Sequence, residues 1–348
     1  MDKNSQPLVS IIILNYNGKE FLKPCLDSVL ASTYHNFEII VVDNASVDDS
    51  VSFLKDNYAV DRVRVISEKK NYGVPGGRNI GFKYSHGDYI IFLDNDAVVG
   101  KGWIEGFLEV FSEDEKIAVA QAKLLSMLER NRFDHAGDFL TPFGFLVERS
   151  NGAKDTGQFD KVEDIFNAKG AATMIKSAVF KELGMYDDSY FMYLEETDFC
   201  WRAWLAGYKV VFAPKSVVWH AYSTPLKDEK KYYSNYVVRY YGCRNYLITA
   251  LKNAGSLRLL KMLFFQLPSF LILSLLFCLR GKFSDAFFII KALFSVVADY
   301  RGIMLKRNFV QNKIRRVKDR DLFPIIQQKK PFVYYLDIAR RYVKGEPY

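Results

Sequence analysis

The chain has 348 residues, 49% of them hydrophobic, so a sizeable core is available to one large domain with an appendage or to two domains. Its four cysteines, Cys25, Cys200, Cys243 and Cys278, are scattered without CxxC spacing, which argues against a disulfide framework or a zinc site and suits a reducing compartment. The net charge of +8 is unevenly spread: residues 227–348 carry 24 Lys+Arg against 8 Asp+Glu, whereas residues 1–226 carry 24 against 32. An acidic front joined to a basic, apolar back points to two jobs, the back facing an anionic membrane or a nucleic acid.

In chain order, the start MDKNSQPLVS lacks the basic lead and apolar core of a secretory signal. Leu8–Leu14 is an apolar run of strand type, followed by a turn over Asn15-Tyr16-Asn17-Gly18. Phe21, Leu22, Cys25, Leu26, Val29 and Leu30 then recur at helical spacing. Phe37–Val42 predicts a second strand, ending in Asp43, and Asp48-Asp49-Ser50 a helix start. Val63–Ile66 predicts a third strand, and NYGVPGGRN, from Asn71 to Asn79, a Gly-rich loop leading into a short helix. That loop is no dinucleotide fingerprint and has no Walker lysine; its glycines could admit a ligand or make a turn, and Arg78 could pair with a phosphate or lie on the surface.

The stretch GDYIIFLDNDAVV, beginning at Gly87, organises the rest. Tyr89–Leu93 reads as a buried strand that ends abruptly in Asp94-Asn95-Asp96. Carboxylates at i and i+2 past a strand end can converge on one hard cation, which could bridge two phosphates of a nucleotide. Alone, the same run describes an acidic turn. Asp43 and the Asp94–Asp96 run both close strands, and ligands of parallel sheets sit at strand carboxyl ends. Strands alternating with amphipathic helices predict an α/β fold on a mostly parallel sheet.

Ile117–Ala122 predicts a further strand. Lys123–Phe166 shows little periodicity and is expected to be a long acceptor-facing insertion, with His135 exposed to solvent. Gly170 and Ala171 belong to a small-residue run that allows a substrate or another segment to approach closely. Within YFMYLEETDFCWRAW, Glu195 and Glu196 open a helix whose dipole favours acids, and Asp198 and Arg202 pair at i,i+4. One of these carboxylates could serve as a general base. Val210–Phe212 and Val217–Trp219 read as strands, and His220, directly after the second, is a candidate metal ligand.

The series VSIIILNYNG, FEIIVVDNAS, NYGVPGGRN, GDYIIFLDNDA, GAATMIKS, YFMYLEETDFCWRAW and VVWH, in that order over residues 8–222, resembles the family 2 inverting glycosyltransferases of GT-A fold. It is most similar to the rhamnosyltransferase-like branch that builds bacterial surface polysaccharides. With the charge division, the resemblance predicts a GT-A catalytic domain over 1–226 and a basic, apolar, helical extension over 227–348 that associates with a membrane interface. It implies that Asp43 hydrogen-bonds the base of a nucleotide-sugar, with Asn15 and Asn17 beside the nucleotide and Arg78 and Asn79 near base or phosphates. Asp94 and Asp96 match the DxD pair, Asp96 as the more direct metal ligand and Asp94 nearer the ribose, and His220 would complete a set suited to Mn²⁺ or Mg²⁺. Asn95, Gly170, Ala171, Asp198 and Arg202 complete the candidate substrate-site residues, Asp198 and Arg202 also bracing their helix. The base would be the second acid of an E-D-x-D motif, here Glu196 where Asp is commoner, with Glu195 as the alternative. The loop departs from the pattern too, with Arg78 where the family more often has Asn. The implied activity is an inverting transfer from a nucleotide-diphosphate sugar, dTDP-rhamnose first and UDP-hexoses next, to a polyprenyl-diphosphate-linked glycan at the inner face of the cell membrane. A catalytically inactive partner subunit is the competing reading.

Met262–Leu279 is 18 residues without a charge, interrupted by Gln266 and Pro268 and flanked by Arg258, Lys261, Arg280 and Lys282. At helical rise it reaches about 27 Å, just short of a bilayer core. Ala286–Ala298 is 13 residues with Lys291 inside. An in-plane pair of helices dipping into one leaflet fits these lengths better than a spanning hairpin, with a buried packing surface or a homodimer interface as the alternative. Lys313–Arg320 is expected to be a solvated basic helix, and no nucleic-acid partner is assigned.

Overall fold

A computed structural model describes residues 6–58, 61–150, 152–221 and 237–328, together with 330, 334 and 340. The expected boundary at 226/227 falls outside them. The first half runs β1 (Val9–Asn15), α1 (Lys19–Leu30), β2 (Phe37–Asp43), α2 (Ser50–Asn57), β3 (Val63–Ser67), α3 (Gly73–Lys83), β4 (Tyr89–Asp94), β5 (Ala97–Val99) and α4 (Trp103–Glu113). Then come β6 (Ile117–Ser126), the short strands β7 (Phe133–His135), β8 (Asp138–Leu140), β9 (Leu146–Glu148) and β10 (Glu163–Asp164), and β11 (Ala172–Lys176). After them follow α5 (Ser177–Glu182), α6 (Glu195–Ala206) and β12 (Lys209–His220). The C-terminal block is helical: α7 (Gly242–Asn253), α8 (Ser256–Leu279), α9 (Phe283–Ala298), α10 (Tyr300–Phe309) and α11 (Asp319–Ile326).

The main sheet has the order β10-β12-β6-β11-β4-β1-β2-β3. It is mixed rather than mostly parallel. β1 to β4 pair in parallel as βαβ units, but β11 enters antiparallel between β4 and β6. An apolar run buried on both faces encodes a strand and not its direction. Alternating side chains split the core into two layers. Ile11, Ile13, Ile39, Val41, Ile91 and Leu93 pack with α1, α2 and α4. Ile12, Ile40, Val42, Ile90 and Phe92 pack on the other face with α5 and α6.

Several expectations are corrected. NYGVPGGRN is not a loop: Gly73 begins α3, and Arg78 and Asn79 lie within it. A Cβ on Gly77 or Gly81 would stand 2.3 Å from Leu14 or 2.4 Å from Ile12, so these glycines let the helix lie close on β1. The predicted strand pair near the end of the front half is the single strand β12, with an irregularity between Ala213 and Val217. Residues 123–166 carry the rest of β6 and four short strands, and their end is pinned to α6, since Trp204 Nε1 donates to the carbonyls of Ile165 and Phe166. His135 is buried, with Nε2 2.9 Å from Asp138 Oδ1 and Nδ1 3.2 Å from Gln121 Oε1. Burial alone would lower its pKa, but the Asp138 carboxylate outweighs that and raises it. Lys313–Arg320 is not a solvated helix: Arg316 and Val317 donate backbone N–H groups to Leu205 O, and Arg315 reaches Asp319 and the Asn253 carbonyl.

Candidate active site

Register delivers the site. In the parallel ladder Asn15 stands beside Asp43, and Leu14 beside Asp94. β5 returns antiparallel to β12 and sets His220 opposite Ala97, one residue past Asp96. Asn15, Asp43, Asp94 and His220 thus meet along one edge of the sheet although they are far apart in sequence.

On one side of this edge lies a net of side-chain amides and carboxylates. Asn15 Nδ2 donates to Asp43 Oδ2 (2.9 Å) and Ser46 Oγ (3.2 Å), while its Oδ1 accepts from Asn95 Nδ2 (2.7 Å). Asp43 Oδ1 accepts from Ser46 N, and Asn17 Oδ1 accepts from Val47 N at 2.8 Å. Gly18 sits so close that a Cβ there would stand 2.1 Å from Asn95 Nδ2. Four of the sequence-predicted binding residues, Asn15, Asn17, Asp43 and Asn95, are therefore one connected wall.

On the other side is a potential cation site. One ligand atom each from Asp94, Asp96 and His220 falls within 4.8 Å of the others. His220 Nε2 is 3.2 Å from Asp96 Oδ1 and 3.7 Å from Asp94 Oδ2, while its Nδ1 faces Asp134 Oδ2 at 2.9 Å. Burial alone would push the His220 pKa down, but the Asp96 and Asp134 carboxylates outweigh it and hold it well above the ordinary value. Asp96, which burial would raise, is drawn down by His220. The cluster favours positive charge, and two carboxylate oxygens plus one imidazole are a donor set that suits Mn²⁺ or Mg²⁺. A carboxylate behind the imidazole fixes which ring nitrogen faces the cation. Sequence reasoning misses Asp134, since 86 residues separate it from His220 and no local pattern marks it.

Arg78 joins the cation site to the acidic helix. Its guanidinium is 2.7 Å from Asp94 Oδ1, 2.8 Å from the Gly170 carbonyl, 3.4 Å from Glu196 Oε1 and 4.0 Å from Glu195 Oε1. Burial works against its charge, but the surrounding carboxylates raise its pKa. A Cβ at Gly170 would stand 2.2 Å from Glu196 Oε1 and 2.3 Å from Arg78 Nη1, so only glycine leaves room for this contact. Ala171 is buried, and its carbonyl accepts from Asp94 N. The two glutamates differ: Glu196 keeps 18% of its side chain exposed and Glu195 2%.

The family model described as "Glycosyl transferase family 2" matches residues 10–184. The chain belongs to glycosyl transferase family 2. Among its curated relatives, the low-salt glycan biosynthesis hexosyltransferase Agl10 of Haloferax volcanii is 30% identical over 56% of this chain and 61% of its own length. The Escherichia coli UDP-Glc:alpha-D-GlcNAc-diphosphoundecaprenol beta-1,3-glucosyltransferase WfaP is 43% identical over 26% of this chain and 35% of its own length. An uncharacterized Haemophilus influenzae glycosyltransferase is 31% identical over 36% and 39%. The matched stretch thus spans less than two thirds of each of these relatives. Among solved structures, S. aureus TarS 1–349 superposes with a TM-score of 0.54 at 17% identity, covering 98% of this chain and 92% of that one. The mannosyltransferase PcManGT from Pyrobaculum calidifontis, in complex with GDP-Man and Mn²⁺, gives 0.52 at 13% identity, covering 88% and 86%. These likenesses establish a shared GT-A-like α/β fold.

Three predicted site residues of this family 2 chain lie away from the edge. Asn79 is buried and bonded to the Tyr186 carbonyl and to Asp188. Asp198 and Arg202 form a buried pair, as the i,i+4 spacing anticipates, with Arg202 donating to the carbonyls of Leu183 and Met185 and Asp198 turned to the C-terminal helix α7. Lys252 Nζ lies 2.8 Å from Asp198 Oδ1 and 2.7 Å from Asp187 Oδ2, and Asn253 also bonds Asp198. These contacts tie α6 to α7 and to the segment before Tyr190.

The loop before Glu195 is strained. Phe191, Tyr193 and Leu194 all have φ between 59° and 68°, a region that side chains other than glycine rarely adopt. Such residues cost of order 1–3 kcal/mol each and persist only where surroundings hold them. Asn245 of α7, fully buried, does so: its Nδ2 donates to the carbonyls of Tyr190 (3.1 Å), Met192 (2.8 Å) and Tyr193 (2.9 Å). Asn245→Ala is expected to lower kcat more than tenfold with little change in donor affinity, because the acidic helix start loses its anchor while the nucleotide wall is untouched. Steady-state kinetics beside donor titration check this, and a parallel loss of both would contradict it.

Glu195 gives a pH signature. Burial, and then the charge of Glu196, push its pKa up to about 8, and its Oε2 has no hydrogen-bond partner. The folded chain therefore holds this proton more tightly than the unfolded chain. The stability it lends is complete below the unfolded value near 4.5 and is lost as pH rises towards 8. Every tenfold difference in proton affinity between the folded and unfolded chain corresponds to about 1.4 kcal/mol. Glu195→Gln, which cannot ionise, is expected to melt several degrees above the wild type at pH 9 and level with it at pH 5. Equal melting at both values would show that Glu195 is not held neutral.

Proposed function

We propose that this chain transfers a sugar, with inversion, from a nucleotide-diphosphate sugar to a hydroxyl of a lipid-linked glycan. The observation that carries the reading is the convergence of Asp94, Asp96 and His220 with the Arg78–Glu196 pair at one sheet edge. The wall of Asn15, Asn17, Asp43 and Asn95 would receive the nucleoside, with Asp43 accepting from the base. Asp94, Asp96 and His220 would hold Mn²⁺ or Mg²⁺, which when bound offsets the charge growing on the departing diphosphate. Glu196 takes the proton from the acceptor hydroxyl as that oxygen bonds to C1 and the bond from C1 to the diphosphate oxygen breaks. One such displacement inverts the anomeric centre. Arg78 keeps Asp94 and Glu196 at fixed separation and limits their mutual repulsion.

dTDP-rhamnose is the first candidate donor. UDP-hexoses are the second, favoured by the likeness to a UDP-Glc-dependent relative, which also supports a diphosphate-polyprenol acceptor and hence work at the inner face of the cell membrane. The complete acid and imidazole set speaks against an inactive partner subunit. The test is turnover of dTDP- and UDP-sugars, with Mn²⁺ or Mg²⁺, onto polyprenyl-diphosphate-linked acceptors, with the new anomeric centre read by NMR. A product of opposite anomeric configuration to the donor is expected; a product of retained configuration would overturn the mechanism. Donor binding without product on any acceptor would favour the inactive partner.

A further inference from the structure

The helical hairpin of α8 and α9 is apolar on the wrong side for a protein surrounded by water. Met262, Gln266, Phe270, Ser274 and Phe277 form the inward stripe of α8 and are buried along nearly its whole length. Two polar residues of the helix lie in that stripe: Gln266 Nε2 donates to Gly144 O at 3.1 Å, and Ser274 Oγ to Ala286 O on α9 at 3.2 Å, while the exposed Ser269 turns its Oγ back to the Phe265 carbonyl. The opposite face carries Leu260, Phe264, Leu271 and Leu275, and α9 adds Phe287 and Phe294, all between 51% and 73% exposed. A water-facing helix shows the reverse pattern. Scattered exposed apolar residues need no explanation, but a continuous face does.

Charge says what covers it. Across 256–301 the exposed residues Lys261, Arg280, Lys282, Lys291 and Arg301 are all basic; of the two acids, Asp285 is buried against Arg239, and Asp299, half-exposed just past α9, lies 3.6 Å from Arg244. A second copy of the chain meeting this face about a twofold axis would set like charges against like. Anionic lipid headgroups complement them. A 24-residue helix could reach about 36 Å and cross a bilayer, but α8 is pinned to the protein along its inner stripe and offers only its outer face.

We propose that the α8–α9 hairpin lies in the plane of an anionic membrane, its outer face in the acyl region of one leaflet and its basic residues on the headgroups. The inner side of the hairpin shares one apolar cluster with Tyr190 and Leu194, next to Glu195 and Glu196. Docking therefore holds the acidic helix start at the bilayer surface, where a lipid-linked hydroxyl would arrive. Only that consequence rests on the acceptor proposed above; the docking does not.

The test is sedimentation of the full chain with vesicles of phosphatidylglycerol and phosphatidylethanolamine, or of phosphatidylcholine alone, beside light scattering. The wild type is expected to bind the anionic vesicles at least about tenfold more tightly than the neutral ones, since each basic residue near the surface adds attraction to anionic headgroups. Phe264→Glu with Leu271→Glu changes only exposed positions and should stay in the supernatant with unchanged melting and donor affinity. Arg280→Glu with Lys282→Glu should lose the anionic preference. A wild type that sediments with neither vesicle overturns the proposal, as does a dimer that the apolar variant splits while vesicle binding is absent. Vesicle binding without sugar transfer would leave the docking standing and overturn the activity; transfer without vesicle binding would do the opposite.

Discussion

Glu196→Gln is expected to lower kcat by about 10²- to 10⁴-fold, the range that loss of a positioned general base commonly gives. Glutamine keeps the shape and can still accept from Arg78 Nη1, which stands 3.4 Å from Glu196 Oε1. It cannot take a proton. Donor affinity should stay within a factor of two or so, because the nucleotide wall of Asn15, Asn17 and Asp43 is untouched and binding does not draw on the base. Glu195→Gln should keep most of the turnover, since Glu195 is buried and neutral near pH 7. If the two variants behave the other way round, the base is Glu195 and the first turn of α6 rotates on substrate binding. Steady-state kinetics on both variants, beside donor titration, decides between them.

Asp96→Ala is expected to have the other large effect, a loss of about 10³-fold or more in kcat/KM, as withdrawing several kcal/mol of charge stabilisation implies. The variant should also lose any rise in melting temperature that Mn²⁺ and a nucleotide-sugar together give the wild type. The fold should tolerate the change. Asp96 sits in a cluster with Asp94 and Asp134 around a single imidazole, and His220 keeps its 2.9 Å contact to Asp134. Full activity in Asp96→Ala would remove the cation from the mechanism. A variant that fails to fold without metal would show that the acid is structural.

Much of the site was legible because its residues end strands. An apolar run that stops at an acid, an amide or an imidazole marks a strand carboxyl end, and Asn15, Asp43, Asp94 and His220 are all of that kind. Parallel pairing then sets such ends side by side. Residues that act across long sequence distances left no such mark. Asp134 sits in a short strand of an aperiodic stretch and reaches His220 only because β7 pairs with β6, the neighbour of β12. Asn245 looks like any polar residue of a helix, yet it holds three carbonyls of the strained loop. Glycine misled the reading of α3, since its usual meaning is a turn, while Gly77 and Gly81 are small to admit close packing on β1. The Asp198–Arg202 spacing announced a pair correctly and said nothing of the direction it faces. Lys252, which fixes that direction, lies beyond the whole of β12 in sequence.

The most direct measurement is calorimetric titration of dTDP- and UDP-sugars into the full chain, with Mn²⁺ and with chelator, repeated on Asp96→Ala. The proposed cation site is Asp94, Asp96 and His220, so one nucleotide-sugar should bind the wild type with Mn²⁺, at least tenfold more weakly in chelator, and the variant weakly in both. Equal affinity in Mn²⁺ and chelator, or an Asp96→Ala variant that binds as the wild type does, would contradict this assignment.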